Sequence, residues 1–379
     1  MEAFGNRIAS LLTGPPYRMP PEEKTPTMLA VLKDELEYAC ERNAGFQNYV
    51  RHWPVDFRLA RSIADLPYLP VGLLKAHPPL SLVEEGEIRR TLTSSSTTGQ
   101  TPSRIVLDSP TARRMTKGVA AIIQDFIGVT RRPYLVVDVP DSVQGKGELG
   151  ARGAAIQSLR PFATEVTYGL GYGSQGELKL ELSKVLGFAE KNRRAGPVLV
   201  YGFTYIIWKY LVEPLMADGI SLDMPEVHIF HSGGWKRLQE EAVQKRVYNE
   251  SVARVFGCSP DRVIDFYGMV EAVGIIYPDC PEGNKHVPGF GEVIVRDELS
   301  LDPVAEGESG ILQVCSVLPS SFPGHLLLTE DIAEVVMFDG CRCGRRGIGF
   351  RFMGRVPKAE LRGCGNIDNR RQHVLRVKA

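Results

Sequence analysis

Apolar and polar positions change period along this chain, and the changes mark its elements. The first 60 residues read as polar and helical. Leu29, Leu32, Leu36 and Ala39 share one face of a helix over 27–42, with Thr27 placed to cap it. Leu66-Pro67-Tyr68-Leu69-Pro70-Val71 is a proline-stiffened, extended connector. Ser109 is placed to cap a helix over 110–126, with Pro110 in its first turn. Continuous apolar runs then predict buried strands at 134–139, 197–201, 227–230 and 262–266. Between them, amphipathic spacing predicts helices at 178–191, 204–216 and 240–255, and the glycines of 145–176 predict loops around a site.

Strand and helix patterns thus alternate at short spacing through the middle of the chain, which predicts an α/β fold with parallel strands. Several loops rich in chemically useful side chains follow directly on strands, where open α/β sheets place ligands. After Gly291 the pattern changes to strands at 292–296, 310–317 and 332–338 separated by turns. The expected organisation is an α/β core over 1–290, a small β subdomain over 291–353 and a short tail over 354–379.

Composition narrows the class. The 379 residues carry 45 basic and 45 acidic side chains, a balance that excludes nucleic-acid binding by bulk charge. Glu2 and Arg7 interrupt the start of the chain, unlike a signal peptide. Lys209 and Glu213 break the longest apolar stretch, so it reads as a strand and a buried helix and not as a membrane span. Seven irregularly spaced cysteines point to a reducing, cytoplasmic setting with thiols available for chemistry or metal.

Two groups of residues carry candidate chemistry. Thr93-Ser94-Ser95-Ser96-Thr97-Thr98-Gly99 places six hydroxyls in a row before a glycine. Such a run is either a solvated linker or a loop that wraps an anion with hydroxyls and backbone N–H groups. Cys280 and His286 lie across one short loop, and Cys341 and Cys343 on a later turn. Together they are either a closed structural zinc set or four unrelated residues.

Several segments in order then resemble the adenylate-forming superfamily. The hydroxyl run resembles its phosphate loop, Tyr267-Gly268-Met269-Val270-Glu271 its Tyr-Gly-x-Thr-Glu segment, Leu328-Thr329-Glu330-Asp331 its Thr-Gly-Asp segment, and Gly354-Arg355 its Gly-Arg hinge. More narrowly, 67–75, 232–236, 287–293 and Glu360-Leu361-Arg362-Gly363-Cys364 resemble the acyl-protein synthetase (LuxE) family. Ser96 and Val270 depart from the superfamily pattern by replacing a loop glycine and a threonine. The large C-terminal lid of typical members, with its late lysine, is absent, as in LuxE-type proteins.

The resemblance implies an adenylate-forming core with a truncated tail. It implies that a small-molecule fatty or aromatic acid reacts with ATP and Mg²⁺ to give acyl-adenylate. Thr93 to Gly99 would hold phosphates, Glu271 the Mg²⁺, and Asp331 the ribose, with Arg355 beside it. Gly233 and Gly234 would let the backbone approach adenine, with Tyr267 and Gly268 against the ring. Cys364, with Lys358 and Arg362 favouring its thiolate, would take the acyl group and hand it to a reductase or carrier protein. The alternatives are a ligase to coenzyme A, a carrier thiol or an amine, and a non-catalytic nucleotide-binding protein. Trp235 and Lys236 are lesser candidates, and His228 or His231 would face the acyl pocket or be plain structural histidines.

Overall fold

A computed structural model describes residues 2–75, 80–94, 102–143, 148–193, 196–235 and 241–356. Two six-stranded sheets organise it. The first runs Tyr277–Pro278, Val263–Tyr267, Val227–Ser232, Val198–Phe203, Arg132–Val136, Ala163–Tyr168, and all but the Tyr277–Pro278 edge are parallel. Counted along the chain, the parallel strands lie in the order 2-1-3-4-5. The order reverses between Arg132–Val136 and Val198–Phe203, the kind of place where open α/β sheets bind ligands beyond their carboxyl ends. Val198–Phe203 is buried at every position, as a parallel strand covered on both faces must be.

The second sheet is antiparallel, in the order Lys285–His286, Gly349–Arg355, Leu326–Met337, Ser309–Ser316, Gly291–Arg296. It also draws in Leu69–Pro70, which pairs in parallel with Leu327 and Leu328. The expected connector is therefore a short strand. Pro70 is tolerated there because the strand is an edge of only two residues.

The helices differ from expectation in their starts. The first long helix is Pro21–Arg42, opened by proline at its first position and by Glu22 and Glu23 in its positive first turn. Thr27 is thus inside it, donating its hydroxyl proton to the Glu23 carbonyl at 3.0 Å, and does not cap it. Its buried stripe is Met28, Val31, Leu32, Glu35, Leu36 and Ala39. Asp108, not Ser109, caps Ser109–Ile127, accepting from Thr111 N at 2.8 Å. The helix expected over 178–191 gives up its first residues to a strand, Leu178–Leu180, paired with Leu170–Tyr172, and begins at Leu182. Within the glycine-rich 145–176 stretch lie the helix Ala151–Leu159 and the strand Ala163–Tyr168, because Ile156, Leu159, Phe162 and Ala163 supply enough apolar surface to be buried.

Two apolar cores result. One lies about the parallel sheet; the other joins the N-terminal helices to the antiparallel sheet. Tyr267, Ala272, Val273, Ile275 and Tyr277 belong to the second core although the chain reaches them from the first sheet. The segment after Val263–Tyr267 therefore crosses from one sheet to the other. No helix among the described residues is long and apolar enough to cross a membrane.

Candidate functional site

The crossing segment meets the antiparallel sheet where Asp331 and Arg355 lie side by side. The Tyr267 hydroxyl donates to Asp331 Oδ2 at 2.7 Å, and Arg355 Nε lies 3.4 Å from Asp331 Oδ1. Strand register sets this arrangement, since Asp331 and Arg355 are direct partners across Leu326–Met337 and Gly349–Arg355. Thr329 Oγ1 fixes the approach by accepting from Asp331 N at 3.1 Å. Burial raises the Asp331 carboxyl above its ordinary range; Tyr267 and Arg355 work against that, and the charges of Glu330 and Glu271 with it. Glu271 is itself buried, at 6% exposure, and its charge is felt at both Asp331 and Tyr267. The structure thus brings Tyr267, Glu271, Asp331 and Arg355 together from three separate stretches.

Gly274, three residues after Glu271, holds this segment against the helix behind it. It has φ +80°, and a Cβ there would sit 2.7 Å from Met115 Cα and 2.6 Å from a Leu318 methyl. Gly233 and Gly234 follow Val227–Ser232 with φ +82° and +56°, and a Cβ on Gly233 would press on the Phe203 ring at 3.2 Å. Both glycines therefore keep backbone exposed at the carboxyl ends of the parallel strands. Gly268 lies beside Ile276 on the crossing segment.

Tyr267 itself is only 9% exposed. Phe352 stacks on it with ring centroids 5.0 Å apart at 21°, and Tyr277 with centroids 5.9 Å apart at 28°. The Tyr267 ring is thus largely closed in.

The hydroxyl run leaves strand Arg90–Thr93, which pairs with Arg104–Leu107 so that Thr93 faces Arg104. Ser94 Oγ accepts from Ser103 N at 2.8 Å, closing the base of the loop. The turn Val71–Lys75 packs on both Arg104–Leu107 and Leu326–Met337, and Lys75 lies 3.7 Å from Glu330, the neighbour of Asp331. The hairpin is thus tied to the strand that carries Asp331. Ser95, Ser96, Thr97, Thr98 and Gly99 lie outside the described residues, as do Lys236, Lys358, Arg362 and Cys364.

The Cys/His candidates also converge. One ligand atom from each of Cys280, His286, Cys341 and Cys343 lies within 4.8 Å of the others, and Cys343 Sγ is 3.3 Å from His286 Nε2. Zinc bonds of about 2.3 Å to sulfur and about 2.0 Å to nitrogen, at tetrahedral angles, separate ligand atoms by roughly 3.5–3.8 Å. The set is therefore close to the required size. Two tight turns present the thiols: Gly283 N donates to Cys280 O at 2.8 Å, and Gly344 N to Cys341 O at 2.9 Å. Outer groups support them, Asn284 Nδ2 donating to Cys341 Sγ at 3.8 Å and Arg345 to Cys343. Burial, together with Arg345, holds the His286 imidazole down to about 4 and hence in the neutral, metal-binding form.

A second polar group on the same turn has no counterpart in the sequence reading. Buried Lys285 donates to Asp265 Oδ2 at 3.2 Å and Asp279 Oδ1 at 3.0 Å, and Lys245 pairs with Asp279. His231 Nδ1 lies 3.0 Å from Thr204 Oγ1 and 3.8 Å from Asp265 Oδ1. The imidazole is buried, close to the Tyr248 ring at 4.7 Å, and burial holds it at about 4, with Asp265 opposing. Lys285 lies 20 positions from Asp265 and 6 from Asp279, and strand pairing brings all three together.

Known structures share this fold. A 2-hydroxyisobutyryl-CoA ligase, in an open conformation with 2-HIB-AMP and CoA, superposes with a TM-score of 0.69 at 18% identity, covering 90% of this chain and 77% of that one. Its thioesterification state superposes with a TM-score of 0.68 at the same identity. The fold is thus that of an adenylate-forming ligase. The chain belongs to the acyl-protein synthetase, LuxE family, whose profile matches residues 6–372. A long-chain-fatty-acid–luciferin-component ligase of Vibrio harveyi is 21% identical over 362 residues, spanning 93% of this chain and 90% of that protein. One of Aliivibrio fischeri is 23% identical over 320 residues, spanning 83% and 80%. Family membership makes this chain an AMP-forming ligase that activates a carboxylic acid with ATP and passes the acyl group to a thiol.

Proposed function

We propose that the junction of the two sheets around Tyr267, Glu271, Asp331 and Arg355 activates a fatty or aromatic acid and that the acyl group moves to Cys364. The carboxylate attacks the α-phosphorus of ATP, giving acyl-adenylate and pyrophosphate. The Cys364 thiolate then attacks the acyl carbon, giving a thioester and AMP. The observation that carries this reading is the meeting of Tyr267, Glu271, Asp331 and Arg355 at the carboxyl ends of the parallel strands. Asp331, fixed by two partners, would accept from the ribose hydroxyls. Glu271, a buried carboxylate facing another acid, suits a hard cation; Mg²⁺ held there would neutralise the triphosphate. The names of the Vibrio and Aliivibrio relatives favour a long-chain fatty acid as substrate and a luciferin component as acceptor, and the family resemblance adds onward delivery to a reductase.

The four-donor set of Cys280, His286, Cys341 and Cys343 fits structural zinc, which would tie the two turns together and take no part in the reaction. A second reading, transfer to coenzyme A, draws on the likeness to a CoA ligase. ATP–pyrophosphate exchange over a panel of fatty and aromatic acids tests activation, and radiolabelled acid tests the acceptor. Label retained on the protein without added thiol supports Cys364, and Cys364→Ser then keeps exchange while losing at least about 95% of the covalent label. Label that appears only on added coenzyme A supports the second reading. Exchange at background for every acid would leave a nucleotide-binding protein without activity.

A further inference from the structure

Activation sets an acid's carboxylate against a triphosphate, and two anions meet readily only where positive charge lies between them. Around Tyr267 the balance runs the other way: Asp331 and Glu271 are both buried there, with Arg355 beside Asp331. Lys285 and Lys245 are taken up by Asp265 and Asp279. A cation does stand further along the same row of strand ends. Arg152, in the first turn of helix Ala151–Leu159, places Nε 2.8 Å from Oδ2 of Asp138, just past strand Arg132–Val136. Asp138 is 1% exposed, and its Oδ1 accepts from Val139 N at 2.7 Å, so the carboxylate is fixed and fixes the guanidinium in turn. The Arg152 side chain is nevertheless 32% exposed. Beyond Nε a guanidinium carries four N–H donors on its terminal nitrogens, in the planar fork that suits a second carboxylate.

Two observations place this arginine within the reaction zone. Thr93, where the hydroxyl run begins, pairs in parallel with Gly150, the residue that opens the Arg152 helix. The Asp138 strand end is also the point where the order of the parallel sheet reverses. The charge of Arg152 is felt at Tyr201, whose hydroxyl lies 3.1 Å from Ser232 Oγ, next to Gly233. Three strand spacings separate the Asp138 strand from the Tyr267 strand, about 14 Å at ~4.8 Å each. A ribose held at Asp331 and an acid held at Arg152 would bracket an α-phosphate between them.

We propose that Arg152 is a catalytic residue of the activation step: its guanidinium grips the acid's carboxylate and presents one oxygen to the α-phosphorus of ATP. Asp138 is its positioning residue. The bond from that oxygen to phosphorus forms as the bond from phosphorus to the pyrophosphate oxygen breaks, and no proton moves. This rests on the junction being the activation site. The opposite arrangement is an ion pair that only pins the helix to the sheet. The two differ in whether the protein tells an acid from its uncharged counterpart through Arg152.

The test is equilibrium binding of palmitate and hexadecanamide, of benzoate and benzamide, and of inorganic tripolyphosphate to the full-length protein, alongside ATP–pyrophosphate exchange. A hydrogen-bonded contact between charged groups supports a factor of about 10 to 100. The parent is expected to prefer the acid it activates to the matching amide by about that factor. Arg152→Gln is expected to raise the KM for that acid equally, to bind acid and amide alike within about twofold, and to hold tripolyphosphate within about twofold of the parent. Arg152→Gln combined with Asp138→Asn leaves no buried carboxylate unpaired; it serves if the single variant does not fold, and is expected to lose the same preference. Asp138→Asn by itself loosens the guanidinium without removing it, and is expected to raise the KM for the acid about 3- to 10-fold with the preference kept. An acid preference and acid KM within about twofold of the parent in the Arg152 variants, whatever their Tm, overturn the assignment and leave the activation site standing. Tripolyphosphate affinity lost as steeply as acid affinity also overturns it, placing Arg152 on the phosphates. Parent protein that neither prefers an acid nor catalyses exchange overturns both this and the proposed function.

Discussion

Two polar regions meet the crossing segment, and they are built on opposite plans. At Asp279–His286 the polar groups answer one another: Lys285 lies between two carboxylates, and three thiols and an imidazole face a common centre. At Asp331 the balance is incomplete. One arginine, itself largely exposed, faces a buried acid that has a second buried acid in its field. A region whose charges are internally matched stabilises a fold, because no buried charge is left unpaired. A region with surplus negative charge is poised to take up a cation or a hydrogen-bond donor. Under the proposed function, the first would anchor the fold and the second would handle substrate.

The largest test of that contrast is metal removal. If zinc holds the thiol set, the purified protein contains about one equivalent, and chelation lowers Tm by at least about 10 °C. Less than about a tenth of an equivalent, with Tm unmoved by chelator, would show that the turn holds its shape alone. Next in size is Lys285→Met. It leaves the half-buried Asp265 and Asp279 without their shared cation, and the expected loss is about 2–3 kcal/mol in urea unfolding. A loss below about 1 kcal/mol would mean the Lys285 charge cluster is not an anchor.

A third test is the pH dependence of stability. His231, facing Asp265, Thr204, Tyr248, Lys285 and Lys245, has its imidazole held at about 4 by burial. Its folded pKa is below the unfolded value of about 6.5, so its stabilisation is whole above that pH and is lost as pH falls through about 4. The unfolding free energy is expected to fall by on the order of 2–3 kcal/mol across that window, and His231→Gln to flatten the slope. An unaltered slope in the variant would place the titration elsewhere. The smallest effect belongs to the cleft. Asp331→Asn is expected to raise the KM for ATP roughly 10- to 100-fold with Tm within about 3 °C of the parent. A large fall in Tm with ATP affinity unchanged would invert the assignment of the two regions.

Much of the parallel sheet was legible because its strands are continuous apolar runs ending in distinctive loops, and each such run became a strand. Three of the antiparallel strands were legible for a similar reason, although Leu326–Met337 is longer at its start than the pattern suggested, whereas Lys285–His286 and Gly349–Arg355 were not anticipated. What local pattern does not encode is partnership. Leu69–Pro70 reads as a connector until Leu327 lies beside it. Thr27 reads as a cap until Pro21 claims the helix start. The candidate cleft residues were visible one by one as motifs, whereas Phe352 was not, since nothing about a phenylalanine in an apolar strand tells which ring it will lie on. Lys285 was passed over because a lysine in a turn is usually solvated, and only the approach of Asp265 and Asp279 makes it a buried cation.

The contact of Gly274 with the Ser109–Ile127 helix has a consequence for how this enzyme would tolerate change. Across that junction Gly118 answers Gly274, a Cβ on Gly118 lying 2.7 Å from the Gly274 carbonyl oxygen. Main chain rests directly on main chain, and the Leu318 methyl closes the seam from the side. Any thickening of the seam on either side must be relayed to the carboxylate three residues upstream. Random mutagenesis screened for lost activity should therefore return hits in the middle of a helix that touches no substrate, and suppressors of those hits should be found by trimming Leu318.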